Sequence, residues 1–208
     1  MRQFAIVMAV LLTASAVGHC KGTKLVASVK NPEYSGQRFK KVLVIGMSDS
    51  PAIRSDFEDA MANQLTRDGV EAVPGHSILL RPASAQMEVS YLKVQIKEHH
   101  IDAVLVSRLV RVQNDVTYIP GQSYSVPYPY YNSFYGYYGN VYRQVYTPDY
   151  LREDKTVRIE TNLYATSTPE GEFVWTGISD TFNPQSAAKA IDAVVKVVVK
   201  DLEKEGIF

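Results

Sequence analysis

Residues 40–65 read KKVLVIGMSDSPAIRSDFEDAMANQL, and the change of character within this run decides the fold. Val42-Leu43-Val44-Ile45 is a short continuous apolar run that stops at Gly46, the pattern of a strand covered on both faces. Ser48-Asp49-Ser50-Pro51 follows with helix-start chemistry. Ser50 stands where a hydroxyl accepts an orphan N–H, and Pro51 stands at the first helical position, where its missing donor is harmless. Ile53, Phe57, Ala60, Met61 and Leu65 then recur at helical spacing until Gly69, predicting an amphipathic helix of about 17 residues.

Toward the carboxyl terminus the alternation continues. Val70 to Val73 is a strand candidate broken by Pro74-Gly75, and a second helix is predicted from Ser84 to His99, with Met87, Tyr91, Leu92 and either Val94 or Ile96 inward. Ala103 to Val116 begins as an apolar run and then alternates around Arg108 and Arg111, a long strand whose far end leaves the core. Further on, Val157, Ile159, Thr161, Leu163 and Ala165 alternate with Arg158, Glu160, Asn162 and Tyr164 as a half-buried strand. Thr168-Pro169-Glu170-Gly171 is turn chemistry, and Glu172 to Ser179 is the return strand, with Trp175 on the face of Phe173 as core or edge cover. Ser186 caps a last helix from Ala187 to Glu205, with Ile191, Val194, Val195, Val198 and Leu202 as its stripe and Lys189, Asp192, Lys196, Lys200 and Glu203 outward. The predicted fold is a single α/β domain over 41–208 with a mixed sheet in two or three layers: βαβαβ, a long Tyr-rich loop, a β-hairpin and a C-terminal helix.

That loop, an insertion at 117–151, is the least ordinary segment. Tyr118 to Tyr150 holds 11 of the 14 tyrosines, together with Pro120, Pro127, Pro129, Pro148 and three glycines. Such proline density removes ladder donors and forbids a regular helix, and Arg152-Glu153-Asp154-Lys155 reads as a charged, wet re-entry. Tyrosine offers a rigid apolar face with a polar tip at low entropic cost, which suits recognition. The candidate contact residues are Tyr124, Tyr128, Tyr130, Tyr131, Tyr135, Tyr137, Tyr138 and Tyr142. Three readings stay open: low-complexity cover with no ligand, contact with a protein or a glycan, and self-association through stacked rings.

Toward the amino terminus, residues 1–19 read as a bacterial secretion signal: Met1-Arg2, a charge-free run from Phe4 to Leu12, then small residues. The apolar part falls short of the roughly 20 residues that span a bilayer. Val17-Gly18-His19-Cys20 resembles the lipobox, in which the cysteine is diacylated and becomes the new amino terminus; His19 departs from the small residue usual there. The alternative is cleavage after Ala14-Ser15-Ala16, which leaves Cys20 as a free thiol. Residues 20–40 are then a tether or an edge extension.

Composition and motifs exclude several classes. Twenty-two basic and 22 acidic residues give zero formal net charge, so no electrostatic case exists for nucleic acid. A lone cysteine allows no disulfide framework within the chain. Gly46 to Pro51 sits where phosphate loops sit but has one glycine and no Lys-Ser/Thr pair, and helix capping explains its residues. Of His19, His76, His99 and His100, the last two are adjacent and diverge, and complement a helix dipole better than they hold a metal. No G-x-S-x-G frame is present. The expectation is a non-enzymatic protein with no metal, no cofactor and no catalytic residues.

The run from Lys40 to Leu65, the later IDAVLVSRLVRV (101–112), the tyrosine-rich stretch and IETNLYATSTPEGEFVWTGISDTF (159–182) resemble a group of small bacterial envelope lipoproteins of unassigned function. More distantly the element order is similar to the α/β domains of the TolB amino-terminal region, the curli-secretion lipoprotein and the lipoprotein activators of penicillin-binding proteins. The resemblance implies an adaptor anchored through a lipid on Cys20 and meeting an envelope protein or cell-wall glycan. It also implies an outer-membrane location facing the periplasm, since Lys21 replaces the aspartate that marks inner-membrane retention. A secreted periplasmic ligand-binding or self-associating structural protein is the alternative.

Overall fold

In the computed structural model, which describes residues 22–35, 38–79, 89–120, 150–168 and 170–208, the apolar run at Val42 is the buried centre of one sheet. The chain runs β1 (Thr23–Lys30), β2 (Lys41–Met47), α1 (Pro51–Arg67), β3 (Glu71–Pro74), a single turn α2 (Gly75–Ile78), α3 (Val89–Glu98), β4 (Ala103–Ile119), β5 (Tyr150–Ala165), β6 (Glu172–Phe182) and α4 (Ala187–Lys204). Six strands lie in the order β1-β6-β5-β4-β2-β3, forming a mixed α/β sheet. β2 is parallel to β3 and β4, which the helical crossovers require, and the other ladders are antiparallel.

α1 and α4 cover one face, burying Phe57, Met61, Leu65, Val194, Val198 and Leu202 against Val42, Val44, Leu105, Leu163 and Val174. All five residues of the predicted α4 stripe are buried. On the other face, α3 lays Tyr91, Leu92 and Ile96 over Leu43, Ile45, Ile101 and Val104. Among the described residues the sheet is therefore three layers deep around β2 and two around β1 and β6. Trp175 is fully buried, and its indole Nε1 donates to Asp201 Oδ2 of α4 at 3.1 Å.

Several expectations are corrected, and two left open between alternatives are decided. Ile53 is 43% exposed; the inward arc of α1 at that turn is taken by Arg54 and Glu58, a buried ion pair. In α3, Ile96 packs inward and Val94 is exposed; Ser84 and Met87 lie outside the described residues. Val174 is an extra residue between the pairs Leu163↔Trp175 and Tyr164↔Phe173. A bulge reverses the alternation, so Phe173 faces away from Trp175 and meets Tyr164 edge to face, with ring centroids 6.2 Å apart. Thr23–Lys30, within the stretch read as a tether or an edge extension, is an edge strand paired with β6. Its own alternation is weak; the edge of β6 supplies the order.

The charged stretch Arg152–Lys155 is no loop either. It lies inside β5, because β4 and β5 stay paired as far as Ile119↔Tyr150. Asp154 is buried there, accepting from Asn183 Nδ2 at 2.8 Å and from Arg152 Nε at 2.9 Å.

Candidate functional site

Cys20 and the candidate tyrosines Tyr124, Tyr128, Tyr130, Tyr131, Tyr135, Tyr137, Tyr138 and Tyr142 lie outside the described residues. What is described is the mount beneath the tyrosine tract. Pairing with β2 stops at Met47↔Arg108, and pairing with β6 stops at Thr156↔Phe182, so β4 and β5 continue beyond those points as a two-stranded ribbon. The two ends of the tract are thereby brought side by side as ladder neighbours. Val116 and Leu151 on the ribbon are 61% and 65% exposed, and Tyr118 and Tyr150 are exposed beside them. An isolated two-stranded ribbon is marginally stable in water, and contiguous exposed apolar side chains mark interaction surfaces.

A second feature sits at the ribbon's root. Val110 is the extra residue of a bulge between Leu109↔Ile159 and Arg111↔Arg158, which shifts the alternation so that Val112 stays on the face of Leu109. That face continues the core beyond the ends of α1 and α4. Leu109, Val112, Val157 and Ile159 form the floor of a cleft of about 400 Å³, walled by Ile53 and Phe57 of α1 and by Pro184, Ala187 and Ile191 at the start of α4. The cleft lies outside the carboxyl ends of the parallel strands, where open α/β sheets place ligands.

Polar contacts hold the elements around it. Glu58, fully buried, accepts from Gly46 N and Arg54 Nε, both at 2.9 Å, and from His76 N, tying the end of β2 to α1 and α2. No side chain fits at the neighbouring Gly75, where a Cβ would lie 2.8 Å from Val44 O and 3.1 Å from Glu58 Oε1. The loop after β2 carries helix-start chemistry: Ser50 Oγ accepts from Ile53 N at 3.4 Å. On the far side Asn183, in the left-handed region at φ 46, exchanges backbone and side-chain bonds with Lys155 and turns the chain into the α4 cap at Ser186.

No protein-family model matches the chain, and no curated protein matches it in sequence. Solved structures do resemble it. Two PelC dodecamers from Paraburkholderia phytofirmans, one with a point substitution, are each 13% identical at a TM-score of 0.44. The alignments cover 83% and 85% of this chain and 94% of each PelC chain. Lipoprotein GNA1162 from Neisseria meningitidis is 13% identical at a TM-score of 0.42, over 79% of this chain and 98% of its own. Likeness of this degree places no residue role and no activity on the chain.

Sequence reasoning missed the cleft. Its signal was available in Ile53, Leu109 and Val112, apolar residues just beyond the ends of regular cover, but only the bulge at Val110 puts Val112 beside Leu109. Among the described residues, no three His, Cys, Asp or Glu side chains converge as metal ligands, and no helix is long and apolar enough to cross a membrane.

Proposed function

We propose that the chain is a non-enzymatic binding or adaptor module of the bacterial cell envelope, anchored through a lipid on Cys20 and meeting an envelope protein or cell-wall glycan through its tyrosine tract. The observation that supports this reading is the ribbon: β4 and β5 remain paired as far as Ile119↔Tyr150, exposing apolar side chains and holding both ends of the tract together away from the helices. Such a mount sets an adaptable, tyrosine-rich surface on a defined base, the arrangement that recognition loops use.

The test is removal of residues 121–149 with a short turn in their place, combined with photo-crosslinking from positions 130 and 137 of the intact chain. Cooperative unfolding is expected to persist in the shortened chain, while the intact chain gives discrete adducts with one envelope partner. A shortened chain that fails to fold would make the tract a structural cover instead. Adducts only with further copies of the chain, accompanied by a mass that rises with concentration in sedimentation, would favour self-association.

A further inference from the structure

We propose that the cleft between the first turns of α1 and α4 binds an amphiphilic anion, a single apolar chain ending in a carboxylate or phosphate. The floor of Leu109, Val112, Val157 and Ile159, with Ile53 and Ile191 on the walls, is apolar, and its volume of about 400 Å³ falls within the ligand-site range. Leu109 is 53% exposed, so an apolar chain laid on this floor removes surface that water now meets.

The charge of the lining selects the head group. Among the described residues no Asp or Glu lines the cleft, whereas Arg54, Arg108 and Lys155 do. Arg54 is paired with Glu58 and Arg108 with Glu160. Lys155 lies on the same face as Val157 and Ile159, and among the described residues no carboxylate comes within 4 Å of its ammonium. It lines the cleft together with the first turn of α4, an 18-residue helix in which Ser186 Oγ already accepts from Lys189 N at 3.2 Å and the other leading N–H groups have no intrahelical acceptor. A neutral apolar chain leaves the ammonium unused, and a bare inorganic anion leaves the floor wet. An amphiphilic anion uses both.

Calorimetric titration of the purified full chain with dodecanoate, and in parallel with dodecanol, tests this below the concentrations at which either aggregates. Dodecanoate is expected to bind saturably at one per chain, and dodecanol roughly tenfold more weakly. Lys155→Gln should weaken dodecanoate by about that factor and leave dodecanol unchanged. Ala187→Trp, which fills the cleft from an exposed position on the wall, should abolish binding of both while the thermal unfolding profile stays that of the parent chain. Absence of saturable binding overturns the proposal, as does dodecanoate binding indifferent to both substitutions. Binding that appears only after removal of residues 121–149 also overturns it, because the chain's own tract would then be the occupant.

Discussion

Glu58 shows how much a single buried carboxylate organises. Three donors from three elements converge on it, one of them the buried Arg54 guanidinium. Removing one partner of a buried pair strands the other, so Glu58→Ala is expected to lower stability by about 3–5 kcal/mol in urea denaturation. Gly177 carries a different constraint: a Cβ there would lie 2.3 Å from Trp175 Cη2. Gly177→Ala should displace the indole from Asp201, cost about 1–3 kcal/mol and flatten the near-ultraviolet tryptophan bands. Asp180 gives the pH dependence. Its hydrogen bonds from Arg158, at 2.7 and 2.6 Å, outweigh burial and hold its carboxyl below the ordinary carboxylate range. A depressed carboxylate stabilises fully above its unfolded-state value and loses that contribution as pH falls through its folded-state value. The stability gap between the parent chain and Asp180→Asn should therefore stay constant from neutral pH to about pH 5 and shrink below about pH 4. A gap that persists undiminished to pH 2 would contradict the assignment.

At the scale of elements, what was legible in sequence was what depends on local pattern. The continuous apolar run at Val42, the cap at Ser50 and the helical-period valine stripe of α4 announce their elements because each signal lies within the element itself. What was not legible depends on partners. Thr23–Lys30 is ordered by the edge it joins, Arg152–Lys155 by pairing across the ribbon and through Asn183, and the bulges at Val110 and Val174 appear only when two strands are aligned. Arg54 and Glu58 take the inward arc in place of Ile53, paired Nε to Oε1 at 2.9 Å, with Glu58 also bonded to Gly46 N and His76 N. The ribbon makes its own prediction. Amides of β4 from Ala103 to Ser107, inside the sheet, should exchange with deuterium only through large-scale opening, and those from Val112 to Ile119 through local fraying at much lower free energy. Uniform protection along β4 would mean that the ribbon is covered in solution.

At the scale of the molecule, the start of β1, the ribbon's root and the cleft lie toward the same end of the sheet, since Thr23 pairs with Thr181 and Val157 pairs with the same residue. β1 begins only three residues after Cys20, a reach of about 10 Å at full extension. An acylated Cys20 would thus hold this end of the sheet close to the bilayer, since Thr23–Lys30 is the edge extension and not the tether of the two readings of residues 20–40. The candidate tyrosines and Cys20 lie outside the described residues, so the anchor and the contact surface are reached by experiment on the intact protein. The most direct is the intact mass of the mature protein extracted from membranes. A chain beginning at Cys20 with a diacylglyceryl group is the predicted result, and an unmodified chain beginning at Val17 would contradict it.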